Sequence, residues 1–171
     1  TMLAALVACS GSPPAVVSAD VPVPAPPAAA QAHGPFIDLW VDPLHGDDSL
    51  DGAARTSALR TITAAWQRIP AGVPLSNAGY RILLVAGDYS ERDYPAYWED
   101  RHGTAEHPIL VEAADEARSA RLVGFLNLFD VDYVELHGIA VANQGDVFHC
   151  EQCRHLVIDN SAMDGARQAH E

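Results

Sequence analysis

Two segments near the end of the chain can be laid on one another without a gap. Tyr133-Val134-Glu135-Leu136-His137-Gly138-Ile139-Ala140-Val141 matches His155-Leu156-Val157-Ile158-Asp159-Asn160-Ser161-Ala162-Met163, with a constant offset of 156 − 134 = 22. A fixed step of that size marks a solenoid, in which each turn of chain buries its apolar face only against the next. Glu112 to Glu135 gives nearly the same step, 135 − 112 = 23. Gly138 and Asn160 occupy matching positions, and both residue types tolerate the left-handed backbone that a sharp corner needs. The expectation is an all-β chain with coils of about 22–27 residues. Parallel strands are expected near residues 81–85, 109–113, 133–137 and 155–159.

Alternation along these strands assigns their faces. Val134, Leu136, Leu156 and Ile158 should point inward, and Glu135, His137 and Asp159 outward. Strands in such a stack lie about 4.8 Å apart. The 23-residue step therefore makes Glu112 and Glu135 neighbours, and the 22-residue step does the same for His137 and Asp159. Stacked carboxylates cost energy unless they splay into water, share a proton or share a cation. Glu112, Glu135, His137 and Asp159 are thus either a solvated face or a groove wall that holds a sugar chain or a cation.

Ahead of the coils the chain falls into three parts. Residues 1–9 end in Leu6-Val7-Ala8-Cys9, which closes a short apolar run as a signal peptide does. These four residues resemble the bacterial lipobox, in which the cysteine thiol is acylated; the bland alternative is a plain secretory signal containing a cysteine. Lipid on Cys9 would anchor the mature protein to a membrane without spanning it. Residues 10–35 are rich in Pro, Ala, Val and Ser and read as an extended tether. Residues 36–80 hold a strand, Phe36–Val41, then a turn dense in Asp and Gly. A helical stretch follows, with Leu59, Ile62, Ala65, Trp66 and Ile69 on one face and Pro70 as its stop. Asp42, Asp47, Asp48 and Asp51 lack the spacing of an EF-hand loop and are expected to close turns on their own backbone.

The stretch "WVDPLHGDDSLDGAARTSALRTITAAW" resembles the opening of many pectate-lyase-like proteins, where a strand, a turn and a short amphipathic helix cap the first coil. "GTAEHPI", Gly103 to Ile109, resembles the opening strand of the alginate lyase and chondroitinase B class. The resemblance implies a right-handed parallel β-helix with an N-terminal capping α-helix. It also implies action on an anionic, uronic-acid polysaccharide, with calcium as an assisting ion. Relatives of this kind carry many more coils. Residues 81–171 are therefore expected to be the first coils of a longer, truncated series, inactive by itself.

Charge agrees with part of this. The formal net charge is -13 at pH 7, which disfavours DNA, RNA and anionic lipid. The basic side chains other than histidine are all arginine, so no lysine can serve as a base. β-Elimination needs a base and a neutralised carboxylate. Arg154, Arg167 and His170 are the candidates for base or clamp, and Glu112, Glu135 and Asp159 for cation ligands. The alternatives are a non-catalytic glycan- or surface-binding β-helix, and a glycoside hydrolase using paired carboxylates. Phe148-His149-Cys150-Glu151-Gln152-Cys153-Arg154-His155 gathers two thiols and two imidazoles. Packing or a local disulfide, a metal site, and redox chemistry are the three readings of that pair. The expected setting is the cell envelope or the exterior, and the expected state a monomer that meets a polysaccharide.

Overall fold

Beyond the prolines, β-branched and aromatic residues recur at alternate positions, and there the chain pairs into strands. The computed structural model describes residues 33–165. Cys9, most of the tether, Arg167 and His170 lie outside the described residues. The strands are β1 (Phe36–Val41), β2 (Gly79–Leu84), β3 (Gly87–Ser90), β4 (Trp98–His102), β5 (Ile109–Ala113) and β6 (Ala120–Val123). They continue as β7 (Leu126–Asp132), β8 (Val134–His137), β9 (Ala140–Asn143), β10 (Phe148–Glu151), β11 (Val157–Asp159) and β12 (Ala162–Gly165). Helix among the described residues is confined to a 3-10 turn, Arg55–Ser57, and one α-helix, α1, Ile62–Gln67.

Three sheets result, in the orders β1-β2-β5-β8-β11, β10-β7-β4 and β12-β9-β6-β3. Every strand pairing in them is parallel. From β2 onward the chain visits the three sheets in unbroken rotation, so each sheet gains one strand per circuit. In the last circuit the step is the same on all three: 157 − 135, 148 − 126 and 162 − 140 each equal 22.

The inward positions form columns. Leu39, Ile82, Val111, Leu136 and Ile158 follow one another across the first sheet. Tyr89, Leu122, Val141 and Met163 do so across the third. Ile82, Val111, Leu136 and Leu122 are fully buried, each stabilising the fold by about 1.5–3 kcal/mol. Ile158 sits on the same column but is 42 % exposed, because β11 is the edge strand of its sheet. Corners form columns as well. Tyr133 (φ 49°) and His155 (φ 55°) are left-handed at the same place in successive circuits, as are Gly138 (φ 61°) and Asn160 (φ 48°). Only residues whose side chains clear the following carbonyl take this backbone readily, which is why glycine and asparagine recur there.

Two sequence expectations are corrected. The Glu112–Glu135 stack does not form: Glu112 pairs with His137, and Glu135 with Leu110. The step is 25, from Ile109 to Val134, and not 23. The corner after β5 is the reason. It spans residues 114–119, whereas the corner after β8 is only residues 138–139. A shift of two keeps the faces and changes the partners. The helix is also shorter than its apolar periodicity implies. Asp48 Oδ1 accepts the Arg60 and Thr61 amides at 2.9 Å, and the Thr61 hydroxyl accepts from the Ala64 amide at 3.1 Å. Those bonds set the start at Ile62. Leu59 is buried as expected, but as a parallel bridge to Val41 and not as helix.

The aspartates of the turn bond their own neighbourhood. Asp42 Oδ1 accepts the Leu44 and His45 amides, Asp47 accepts Ser49, and Asp51 accepts Ala53 and the Ser57 hydroxyl. Asp47 is held below its ordinary value of 3.8 by the Ser49 amide, and Asp51 by the Ser57 hydroxyl. For Asp42 partial burial pulls upward, but the His45 and Leu44 amides outweigh it. Depressed carboxylates contribute stability that is complete above the unfolded value and is lost as pH falls through the folded ones. From these groups, urea midpoints are expected to hold steady from pH 7 to about 5 and to drop below about pH 4. A midpoint that fell with Asp47→Asn and Asp51→Asn equally at pH 7 and pH 3 would contradict this.

Candidate functional site

The outer face of the first sheet carries two columns. One runs Asp38, Arg81, Leu110, Glu135, Val157 and the other Trp40, Leu83, Glu112, His137, Asp159. Parity along the strands puts Glu112, Glu135, His137 and Asp159 on this face, where alternation predicts them. Their charges close on one another. Arg81 binds Asp38 through two bonds of 2.9 Å and lies 3.8 Å from Glu112. The Asp38 carboxylate raises the already high Arg81 pKa further. His137 Nε2 is 2.9 Å from Glu135 Oε2, and its Nδ1 is 3.8 Å from Asp159 Oδ2. The face is an internally paired ladder, and a ligand would have to displace these partners. The paired-carboxylate argument for a hydrolase loses its ground here, since Glu112 and Glu135 are not stacked. At the neighbouring corner the Tyr133 and His155 rings stack at 4.0 Å between centroids, 14° from coplanar.

Arg154 is likewise occupied. Its guanidinium grips Asp132 through bonds of 2.6 and 2.9 Å. Asp132 Oδ2, which takes the Arg154 Nη2 bond, also lies 2.9 Å from His102 Nδ1. Asp132 is held below the ordinary carboxylate value by the Arg154 hydrogen bonds, partly opposed by burial and helped by His102. Arg154 therefore positions an aspartate and is not free to act as a base. Cys150 and Cys153 are joined by a disulfide, with Cα atoms 6.1 Å apart.

A concavity lies elsewhere. An open groove of about 770 Å³ runs along the outer side of the β12-β9-β6-β3 sheet. Glu91, Arg92, Arg121, Asn143, Gln144 and Asp164 line it. Arg121 has a carboxylate, Asp88, only at 3.9 Å, and Arg92 has no ion pair among the described residues. Both guanidiniums are exposed. Below this surface the Tyr94 hydroxyl is buried without a hydrogen-bond partner. Burial, then Glu91 and Asp93, pushes it up to about 12, so it stays neutral.

Sequence reasoning missed this groove because its residues come from corners and short strands that show no motif. The one available signal was arginine placement: Arg92 and Arg121 lie one circuit apart on a chain with 10 basic residues against 23 acidic ones. No protein-family model, curated protein or solved structure matches the chain. No described helix is long and apolar enough to cross a membrane.

Proposed function

We propose that the protein is a right-handed parallel β-helix that holds an anionic, uronic-acid polysaccharide, in the manner of the polysaccharide lyases its opening residues resemble. In this reading the rotating three-sheet order is the solenoid and α1 closes its first coil. The chain is exported, and Cys9 carries the lipid anchor, which intact-mass measurement of the mature protein reads directly.

One observation carries the reading. The chain is acidic overall, yet its open groove presents two exposed arginines with weak or no pairing, set among Asn143, Gln144, Glu91 and Asp164. A polyanion is repelled by the screened acidic field of the rest of this surface, and Arg92 and Arg121 are the cations that would hold its carboxylates here, with Glu91 and Asp164 in the same groove for sugar hydroxyls. Arginine matches a carboxylate in two-point geometry, and Asn143 and Gln144 suit sugar hydroxyls. An open channel fits an extended polymer better than a small ligand. β-Elimination would use the arginines to neutralise the uronate and Glu91 or Asp164 to move the proton.

The test is retention of polygalacturonate, alginate and a neutral glucan by the immobilised chain, for wild type and for Arg92→Ala/Arg121→Ala. The uronates should be retained and the glucan not, and the double variant should weaken retention by about tenfold or more. The ultraviolet absorbance of unsaturated uronates, followed in the same samples, separates elimination from binding. Equal retention of the glucan, or no effect of the double variant, would dispose of the reading.

A further inference from the structure

Within β4 and β7 the strand ladder breaks. Glu99 pairs with Phe129 and Arg101 with Val131, while Asp100 (φ 55°) and Asp130 (φ 48°) stand between them in the left-handed conformation. His102, two residues on, pairs with Asp132. One ligand atom each from Asp100, His102 and Asp130 lies within 4.8 Å of the others. All three residues are half-buried.

Carboxylates gathered at a surface are common without an ion. The histidine is what sets this group apart. Its Nδ1 is committed to Asp132 at 2.9 Å, and Asp132 is itself fixed by Arg154. The imidazole is therefore held in one orientation by groups outside the three. Its other nitrogen, Nε2, faces Asp100 Oδ1 at 3.6 Å. In the neutral ring with Nδ1–H donating to Asp132, Nε2 presents a lone pair toward carboxylate oxygens. Three electron-pair donors then converge, while the nearby Arg101 turns its Nε and Nη1 to the backbone carbonyls of Trp66, Glu99 and Asp100. A carboxylate on the far nitrogen of an imidazole is the arrangement that orients histidine ligands and raises their basicity. Asp100 also lines a cleft of about 220 Å³, together with Trp66, Tyr97 and Arg101.

We propose that Asp100, His102 and Asp130 bind one divalent first-row transition ion, with Asp132 and Arg154 positioning the histidine. Two carboxylates and an imidazole suit zinc, manganese or cobalt. Calcium takes oxygen ligands only and is excluded by the imidazole. Three protein ligands leave positions for water or for a ligand in the adjoining cleft. The site is on a different sheet from the arginine groove and does not rest on the polysaccharide reading.

The probe is zinc chloride, titrated calorimetrically into the untagged, chelator-stripped chain, with calcium chloride in parallel. One equivalent of zinc should bind and raise the melting temperature by mass action, while calcium should not bind. Asp100→Asn and Asp130→Asn should each weaken zinc by about tenfold or more, and Asp132→Asn by roughly 10–100-fold. Asparagine accepts left-handed backbone, so these variants should keep the wild-type circular dichroism. Glu112→Gln and His137→Gln on the first sheet should change nothing. Absence of saturable zinc binding would overturn the proposal. So would zinc binding that survives Asp100→Asn and Asp130→Asn unchanged, or preference for calcium.

Discussion

Gly46→Ala is expected to cost about 3 kcal/mol or more, and to lower the melting temperature by roughly 10 °C or more. The turn from Asp42 to Asp51 is folded back against Leu59. Asp42 N donates to Leu59 O at 2.8 Å, Gly46 N to Asp42 O at 3.0 Å, and Asp47 N to Ala58 O at 3.0 Å. A Cβ on Gly46 would run into the Leu59 carbonyl and sit 2.5 Å from Asp42 O. Those are backbone atoms, and no rotamer can move them aside. Leu59 is fully buried and bridged to Val41, so it cannot retreat without opening the apolar interior. The turn would have to give up its hydrogen bonds instead. Gly145→Ala is the control, because nothing lies within 4 Å of its added Cβ. Thermal melts of the two variants decide the matter: if Gly46→Ala melts within about 2 °C of wild type, the turn is softer than its geometry implies.

The parallel stack was legible because its last circuit repeats without insertion. The 22-residue offset between Tyr133–Val141 and His155–Met163 reappears as the register of three separate sheets. Gly138 and Asn160 were readable as corners for the same reason, and both are left-handed. The previous circuit was misread by two residues. Its corner holds Asp115, which binds Arg55 at 2.7 and 2.9 Å and accepts the Ala86 amide. That insertion is fixed by partners 60 and 29 positions away, which no local pattern records. The helix was overextended for a related reason. Apolar periodicity reports burial, and Leu59, Ile62, Ala65, Trp66 and Ile69 are all buried. It does not report that Asp48 stops the helix short of Leu59.

For sites the limit is different. Strand parity told which side chains face out, and Glu135 and His137 do face out together. It could not tell that they hydrogen-bond to each other. The Asp100–His102 and Asp130–Asp132 pairs were visible as Asp-x-His and Asp-x-Asp, one circuit apart. Their offset is 130 − 100 = 30, set by a coil far longer than 22 residues, so a search at the short period passes over them. The third circuit then substitutes Gln152 and Arg154 at the corresponding places, with Asp132 bridged to Arg154. A column of donors thus ends in a guanidinium, which is what fixes the histidine.

Trp98→Ala is the substitution expected to do most damage in the interior, about 3–5 kcal/mol. The residue is 1 % exposed and pairs across the ladder with Leu128. Its ring meets Trp66 of α1 edge-on at 5.1 Å and Tyr94 at 6.4 Å. Through Trp66 it is the contact by which the helix is seated on the stack, since the indole N–H of Trp66 also reaches Glu99 O, the residue after Trp98. Loss of the ring removes both aromatic partners at once and leaves a cavity between rigid strands that cannot close on it. Trp98→Phe should behave differently. The Trp98 indole N–H is buried without a partner, so the smaller ring gives up packing while deleting an unsatisfied donor. A loss of about 1 kcal/mol is expected for it. Urea unfolding of both variants separates the two contributions. If Trp98→Phe is as damaging as Trp98→Ala, the indole N–H has a partner, and if Trp98→Ala costs under about 1 kcal/mol, α1 is held by something other than this aromatic cluster.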